Sequence, residues 1–507
     1  MTVRLRHVPD DGALYTPVVI GLTLICIVLL VFSQTGAIHD GDEGLHLIAA
    51  SLVYAGQRPF VDFFYWHEPL YLYVVSSWMA IAGASWRSVH VLSALLTAAA
   101  ALLIGSYTPA YLRAMKAPAW WGIVAASCFA LTVLVLKWGT IGHNYALCLL
   151  LSVVAFRFAV SAVDRPGNSR AFLAGLSAGG AAATSPLVVF LVPVMLLWLV
   201  LANRAGARWA KAVSFVVSAM VPFTALMLLA LAAPDETYFG LVEHHLTFRV
   251  RTTDAAAVHV ETLSSWMTSP QALLLIVLAG TGTVAAGRAA SAETRRDVYL
   301  CAALVLVLGV FASLAHPPAR PPYFVVLTPF VAVLASIGAF AIAERINPPR
   351  GRLVASTVVA LLAFGAARSI YRERLWSSEW KRIEAFAEEV NRVTAPGGSF
   401  YSSYPFVYFA ARRLPPEGLE NNWATRMTLS LDSFAQLEVM PEARLIEHVR
   451  SGSFDATLLR RGDSRYESAT MDRLYQESKL LDQYYVLRWD RRGSNSRTTG
   501  GSLPQER

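Results

Sequence analysis

Apolar runs of nearly bilayer-crossing length recur from residue 13 to residue 370 of this 507-residue chain. A helix needs roughly 20 apolar residues to cross the hydrocarbon core. Charged residues make up only 15% of the chain and apolar ones 55%, whereas soluble globular chains carry about 25% charged residues. These runs exclude a soluble enzyme, a fibrous protein and a disordered chain. They predict an all-α polytopic membrane protein.

The net charge of +8 is not a nucleic-acid footprint, because no Lys/Arg stripe interleaved with aromatics occurs in a soluble region. Much of the excess sits in short loops between apolar runs, where it sets topology. Cys26, Cys128, Cys148 and Cys301 all lie inside apolar runs, which argues for buried hydrophobes rather than a disulfide framework or a thiolate metal site.

The basic start places the N-terminus in the cytoplasm, and the first run, about 13–33, reads as an uncleaved anchor that emerges outside at Gln34. The next stretch, 69–84, decides the rest. If it lies on the membrane surface, the basic loops at Arg113–Lys116, Asp164–Arg170, Asn203–Arg208, Arg288–Arg296 and Glu344–Arg352 all fall inside. The positive-inside rule therefore predicts an interfacial helix there. About eleven spans follow: 13–33, 88–107, 119–136, 144–162, 171–184, 186–201, 211–233, 271–287, 298–314, 322–343 and 353–371. The fifth and sixth form a short pair broken at Ser185-Pro186.

Residues 1–371 thus form a transmembrane module, with 34–87 as a first outer loop and 234–270 as a lid-like outer loop. Residues 372–490 alternate a helical pattern (376–393) with short β-like runs near 399–404, 456–459 and 484–489, predicting a small extracytoplasmic α/β domain. Residues 491–507 read as a disordered tail. The localisation that follows is a multi-pass plasma-membrane protein.

The first outer loop carries the densest chemistry. Asp40, Asp42 and Glu43 fall within four residues at the mouth of the first span. Carboxylates crowded at a membrane boundary are costly without a partner or a role. Like-charged neighbours raise one another's pKa, which suits a general base. A solvated loop start is the plain alternative. His46, Tyr54, Phe60, Asp62, His67, Glu68, Pro69 and Leu70 follow.

This order, Asp42-Glu43-Gly-Leu-His46, then Tyr54, then Phe60-Val-Asp62, then His67-Glu68-Pro69-Leu70, resembles the first lumenal loop of the protein O-mannosyltransferases. That group, glycosyltransferase family 39, belongs to the C-type glycosyltransferases. Bacterial aminoarabinose transferases of the same superfamily share a similar loop. The resemblance covers about 38–115 and implies a polytopic enzyme of the cell envelope. Such an enzyme moves a hexosyl or pentosyl group from a polyprenyl-phosphate-linked donor to a hydroxyl of a lipid, glycan or protein acceptor.

The resemblance implies Asp42 as catalytic base, with Glu43 beside it, and Asp40, His46, Asp62, His67 and Glu68 lining the substrate site. The lipid phosphate is a stable leaving group, so cations beside it suffice. Two departures from the pattern stand out. Glu68 replaces the first Pro of His-Pro-Pro-Leu, and the Lys after that motif is absent, which implies an acceptor other than a Ser/Thr protein. Arg87 matches an Arg the family keeps after the interfacial helix. Arg320 and Tyr323, in His316-Pro-Pro-Ala-Arg320-Pro-Pro-Tyr323 ahead of Pro329, stand where relatives carry a phosphate-gripping element; a snorkelling Arg with an interfacial Tyr is the alternative. Lys137 is an outer Lys against the charge bias, which makes a phosphate partner reasonable. Asn144 replaces an Asp of the relatives, and Thr184-Ser-Pro186 lacks a Lys they carry.

Glu243-His244-His245, with Arg249, Arg251 and His259, invites a zinc reading, but adjacent histidines diverge on a helix or strand. No metal site is therefore assigned. A divalent metal is compatible with the pattern but not indicated, and no cofactor is implied. No Walker loop, Gly-rich dinucleotide turn or HExxH is present, so the partners are a lipid-linked donor, its acceptor and membrane lipid, not nucleic acid. Two other classes fit the hydropathy: a transporter or flippase of lipid-linked saccharides, and a non-catalytic membrane assembly protein. The first wants broken or charged helices in paired halves. The second leaves the Asp42–Leu70 pattern unexplained.

Overall fold

The computed structural model describes residues 12–39, 41–112, 117–203, 206–248, 257, 260–264, 269–288, 292–314, 320–346, 348–376, 379–466 and 468–489. Asp40, His316, Arg249, Arg251, His259 and the expected disordered tail therefore lie outside the described residues.

The chain opens with α1 (Gly12–Ser33), α2 (Asp42–Tyr54), α3 (Leu70–Ala82) and α4 (Trp86–Leu112). Then come α5 (Trp121–Ala130), α6 (Val133–Trp138), α7 (Tyr145–Asp164), α8 (Ser169–Ala182), α9 (Leu191–Ala202), α10 (Arg208–Met220), α11 (Thr224–Ala232) and α12 (Pro234–Tyr238). A π-helical stretch, Phe239–Phe248, extends α12. The membrane module ends with α13 (Pro270–Gly287), α14 (Ala292–Leu314), a 3-10 turn Pro321–Leu327, α15 (Thr328–Ile346) and α16 (Pro348–Trp376).

Among the described residues, seven helices are long and apolar enough to cross a membrane. The expected span 119–136 divides into α5 and α6 at Thr132. There the side chain of Gln271 closes the break: its Oε1 accepts from Val133 N at 2.8 Å and its Nε2 donates to Leu131 O at 3.0 Å. Backbone groups freed inside a membrane need such internal partners. The expected short pair breaks where anticipated, between α8 and a 3-10 turn that starts at Pro186, because proline lacks the amide hydrogen that would continue the ladder.

Helix pairs pack backbone to backbone through glycine. A Cβ added at Gly338 of α15 would fall 1.9 Å from the Leu278 carbonyl oxygen of α13, so no larger residue fits this crossing.

Helix α3 holds 13 residues, about 20 Å at 1.5 Å per residue, against a hydrocarbon core of about 30 Å. It buries Tyr71, Leu72, Val75 and Met79 while Ile81 stays 82% exposed. A reporter fused after Lys116 is expected to be cytoplasmic and one fused after Trp376 to be on the outer face. The opposite pair of locations would overturn the interfacial assignment of α3 and the orientation built on it.

The C-terminal region begins with α17 (Glu379–Val393) and contains a four-stranded sheet of order β1-β2-β4-β3. Its strands are β1 (Phe400–Ser402), β2 (Ala456–Arg460), β3 (Glu477–Leu480) and β4 (Tyr485–Trp489). β1 runs parallel to β2 with Phe400 opposite Ala456, and the other pairs are antiparallel. This region shares one hydrophobic core with α2, α3 and the start of α4, where Leu47, Leu72, Val89, Trp380, Phe406 and Tyr408 lie together. A Cβ at Gly44 would sit 3.1 Å from the Phe406 ring. The C-terminal domain therefore seats directly on the helix that begins at Asp42.

Candidate active site

Helix α2 starts at Asp42 and Glu43, two acidic residues in its first turn, where the helix dipole favours negative charge. The two side chains diverge. Glu43 has no solvent exposure and turns inward to His90 of α4, with Oε1 2.5 Å from Nε2. His90 Nδ1 lies 2.8 Å from the Ser33 carbonyl oxygen, which can only accept, so Nδ1 carries a hydrogen. One further proton must then lie between Nε2 and Glu43. Whichever atom holds it, the Glu43–His90 pair is neutral as a unit. Glu43 Oε1 also lies 3.4 Å from Gly142 N.

The sequence pattern led us to expect Glu43 to be the like-charged neighbour that tunes Asp42. The neutral pairing with His90 removes that role. Asp42 is half-buried at the helix head. The Tyr65 hydroxyl is pushed well above its usual pKa by burial, with contributions from the carboxylates of Glu68 and Asp42. Glu68 and Asp42 thus both act on Tyr65. Burial drives the Glu68 carboxyl up to about 7, and its Oε2 has no hydrogen-bond partner among the described residues.

Behind Asp42 lies an imidazole cluster. His46 Nδ1 is 2.8 Å from the Tyr65 hydroxyl, and its ring centroid is 4.6 Å from that of His143 and 5.0 Å from that of His67. Burial holds His46 well below its usual pKa, assisted by His143. Asn144, the residue that replaces an acid of the relatives, accepts from His143 Nδ1 at 2.6 Å and donates to Thr184 O at 2.8 Å. Two of the positions at which this sequence departs from the expected pattern, Asn144 and Thr184, are therefore in direct contact.

His39 is drawn down to about 3 by burial, assisted by the neighbouring Lys137. It is a neutral imidazole at any physiological pH. Lys137 sits in the last turn of α6, and α6 packs against the 3-10 turn headed by Arg320, which is exposed, and carrying Tyr323, which is buried. Lys137, Arg320 and Tyr323 thus occupy neighbouring elements.

Two expected site residues are engaged elsewhere. Asp62 forms a two-pronged pair with Arg58 at 2.8 and 3.0 Å, and this partner lowers its pKa. The pair closes a surface turn in which buried Phe60 takes a φ of 67°. Arg87 lies over the Trp86 ring and grips both carboxylate oxygens of Glu384 in α17, which also accepts from Trp86 Nε1 at 2.9 Å. Arg87 therefore fastens the C-terminal domain. Ile38 N donates to Glu379 Oε2 at 2.9 Å and Trp380 N to Gly36 O at 3.2 Å, which adds two more ties beside the site.

In the expected lid, His244 stacks on Trp66 with centroids 4.4 Å apart, while His245 Nε2 donates to the Trp66 carbonyl at 2.7 Å. Both histidines clasp one residue of the first outer loop. No group of three or more His, Cys, Asp or Glu side chains placed to hold a metal ion occurs among the described residues. His90 was missed in the sequence, although an ionisable residue inside an apolar run is itself a signal of function.

No family model matches the chain, and no curated protein matches it. Among solved structures, ArnT from Cupriavidus metallidurans bound to undecaprenyl phosphate matches with a TM-score of 0.64 at 14% identity, covering 94% of this chain and 98% of that one. The same protein in its apo state matches at 0.63 and 14%, covering 96% and 100%. The fold is similar to that of ArnT. This likeness spans the helical module and the C-terminal region together, so both belong to one fold.

Proposed function

We propose that this chain is an integral-membrane glycosyltransferase that moves a sugar from a polyprenyl-phosphate-linked donor to an acceptor hydroxyl on the outer face of the membrane. The observation that carries the reading is Asp42. It is a half-buried carboxylate at the head of α2, one turn before His46 of the imidazole cluster, in a fold similar to that of ArnT, whose structure holds undecaprenyl phosphate.

Asp42 takes the proton of the acceptor hydroxyl. That oxygen bonds to the anomeric carbon as the bond to the phosphate oxygen breaks, and its electron pair leaves with the lipid phosphate. The proton remains on Asp42 until solvent removes it. Lys137 and Arg320, with Tyr323, stabilise the charge on the departing phosphate. Glu68, His67 and His46 line the acceptor side, and the Glu43–His90 pair holds the first turn of α2 in place.

Losing one charge-assisted contact weakens binding by about 10- to 150-fold. Arg320→Ala is expected to weaken polyprenyl-phosphate binding by that amount, and Arg320→Lys to recover only part of it, since it keeps the charge but not the planar fork. Titration of the purified protein with polyprenyl phosphate measures this. Identical curves for wild type and Arg320→Ala would remove Arg320 from the donor site.

A further inference from the structure

Far from Asp42, α13 and α15 part to leave a cavity of about 230 Å³ lined by Gly280, Thr281, Val284, Arg288, Ile342 and Arg345. Gln271 of α13 bonds to the α5–α6 break on the Lys137 side. Arg288 lies 17 residues further along the same helix, about 26 Å away at 1.5 Å per residue. The cavity is therefore at the opposite membrane boundary from the candidate active site.

Three features define its occupant. Arg288 follows the end of α13 and Arg345 stands in the last turn of α15, so two helices bring one guanidinium each to a single cavity. Neither Arg288 nor Arg345 has a carboxylate partner among the described residues. The wall between them opens toward lipid, because Val284 is 56% exposed and Val277, two turns before it on the same helix, is also 56% exposed. The Thr281 hydroxyl donates to its own helix at Val277 O, at 2.9 Å, which leaves the guanidinia as the donors. A site with two cationic forks at the headgroup level and an apolar wall below matches a phosphate with acyl chains attached.

We infer that this cavity binds an acidic phospholipid of the leaflet opposite the active site, with its phosphate between Arg288 and Arg345 and a chain along Val284 and Ile342. The test is native mass spectrometry of the purified full chain titrated with phosphatidylglycerol and, separately, phosphatidylcholine. Phosphatidylglycerol is expected to bind the wild type in preference. The double variant Arg288→Gln, Arg345→Gln is expected to bind it about 30-fold more weakly, from two lost charges at the membrane surface.

Gly280→Leu separates a built site from scattered surface charge. A Cβ there meets nothing within 4 Å, so the leucine fills the cavity and keeps both arginines. It is expected to displace phosphatidylglycerol as well. Equal binding of the two lipids, or unchanged phosphatidylglycerol binding by Gly280→Leu, would overturn the assignment.

Discussion

Asp42→Asn is expected to slow sugar transfer by about 10²- to 10⁴-fold, the usual contribution of a positioned general base, with polyprenyl-phosphate affinity unchanged. Asparagine keeps the shape of the side chain and suits a helix start, so α2 retains its first turn. The neighbouring carboxylate cannot take over, because Glu43 is fully buried and already shares a proton with His90. Single-turnover rates together with donor titrations read the two effects separately. A well-folded Asp42→Asn protein with near-normal turnover would remove Asp42 as the base.

The second large effect is one of stability. His90→Ala leaves Glu43 buried with only the 3.4 Å contact from Gly142 N at that oxygen; breaking a buried pair in this way typically costs about 3–5 kcal/mol. Glu43→Leu strands the imidazole in the same way. The double variant His90→Leu, Glu43→Leu leaves nothing charged behind and is expected to be far less destabilised than the sum of the two singles, since replacing a whole buried pair with apolar residues is often close to neutral. Thermal unfolding of the four proteins in detergent checks this. Additive losses would mean that the short contact is not a coupled pair.

Much of the architecture follows from local rules that a sequence states openly. The apolar runs, the Ser185-Pro186 break and strands β1, β2 and β4 are each governed by a few consecutive residues, whereas β3 (Glu477–Leu480) carries no such local signal. Helix α2 was harder to see. Its start, Gly41-Asp42-Glu43-Gly44, looks like a turn, and its stability comes from Phe406 and the shared core, more than three hundred residues away in the chain. Arg87 illustrates the same limit. As a cation at the outer boundary it suits a phosphate equally well, and only the fold brings Glu384 to it. Asp62 was read with the motif around it, whereas its own turn supplies Arg58 four residues earlier. For Glu43, the sequence shows a carboxylate beside Asp42 but not that its side chain turns inward to His90.

These long-range ties give the C-terminal domain a place in the account. Glu379, Glu384, Trp380 and Phe406 all meet the segment from Gly36 to Arg87. The domain thereby fixes the position of the helix that begins at Asp42.

The most direct measurement is transfer of labelled sugar by the purified wild-type chain, offered polyprenyl-phosphate-linked donors together with lipid, glycan and peptide hydroxyl acceptors. The account predicts that label leaves the lipid, appears on one acceptor class and releases free polyprenyl phosphate in equal amount. If a folded protein that binds polyprenyl phosphate leaves every donor intact, the account is contradicted.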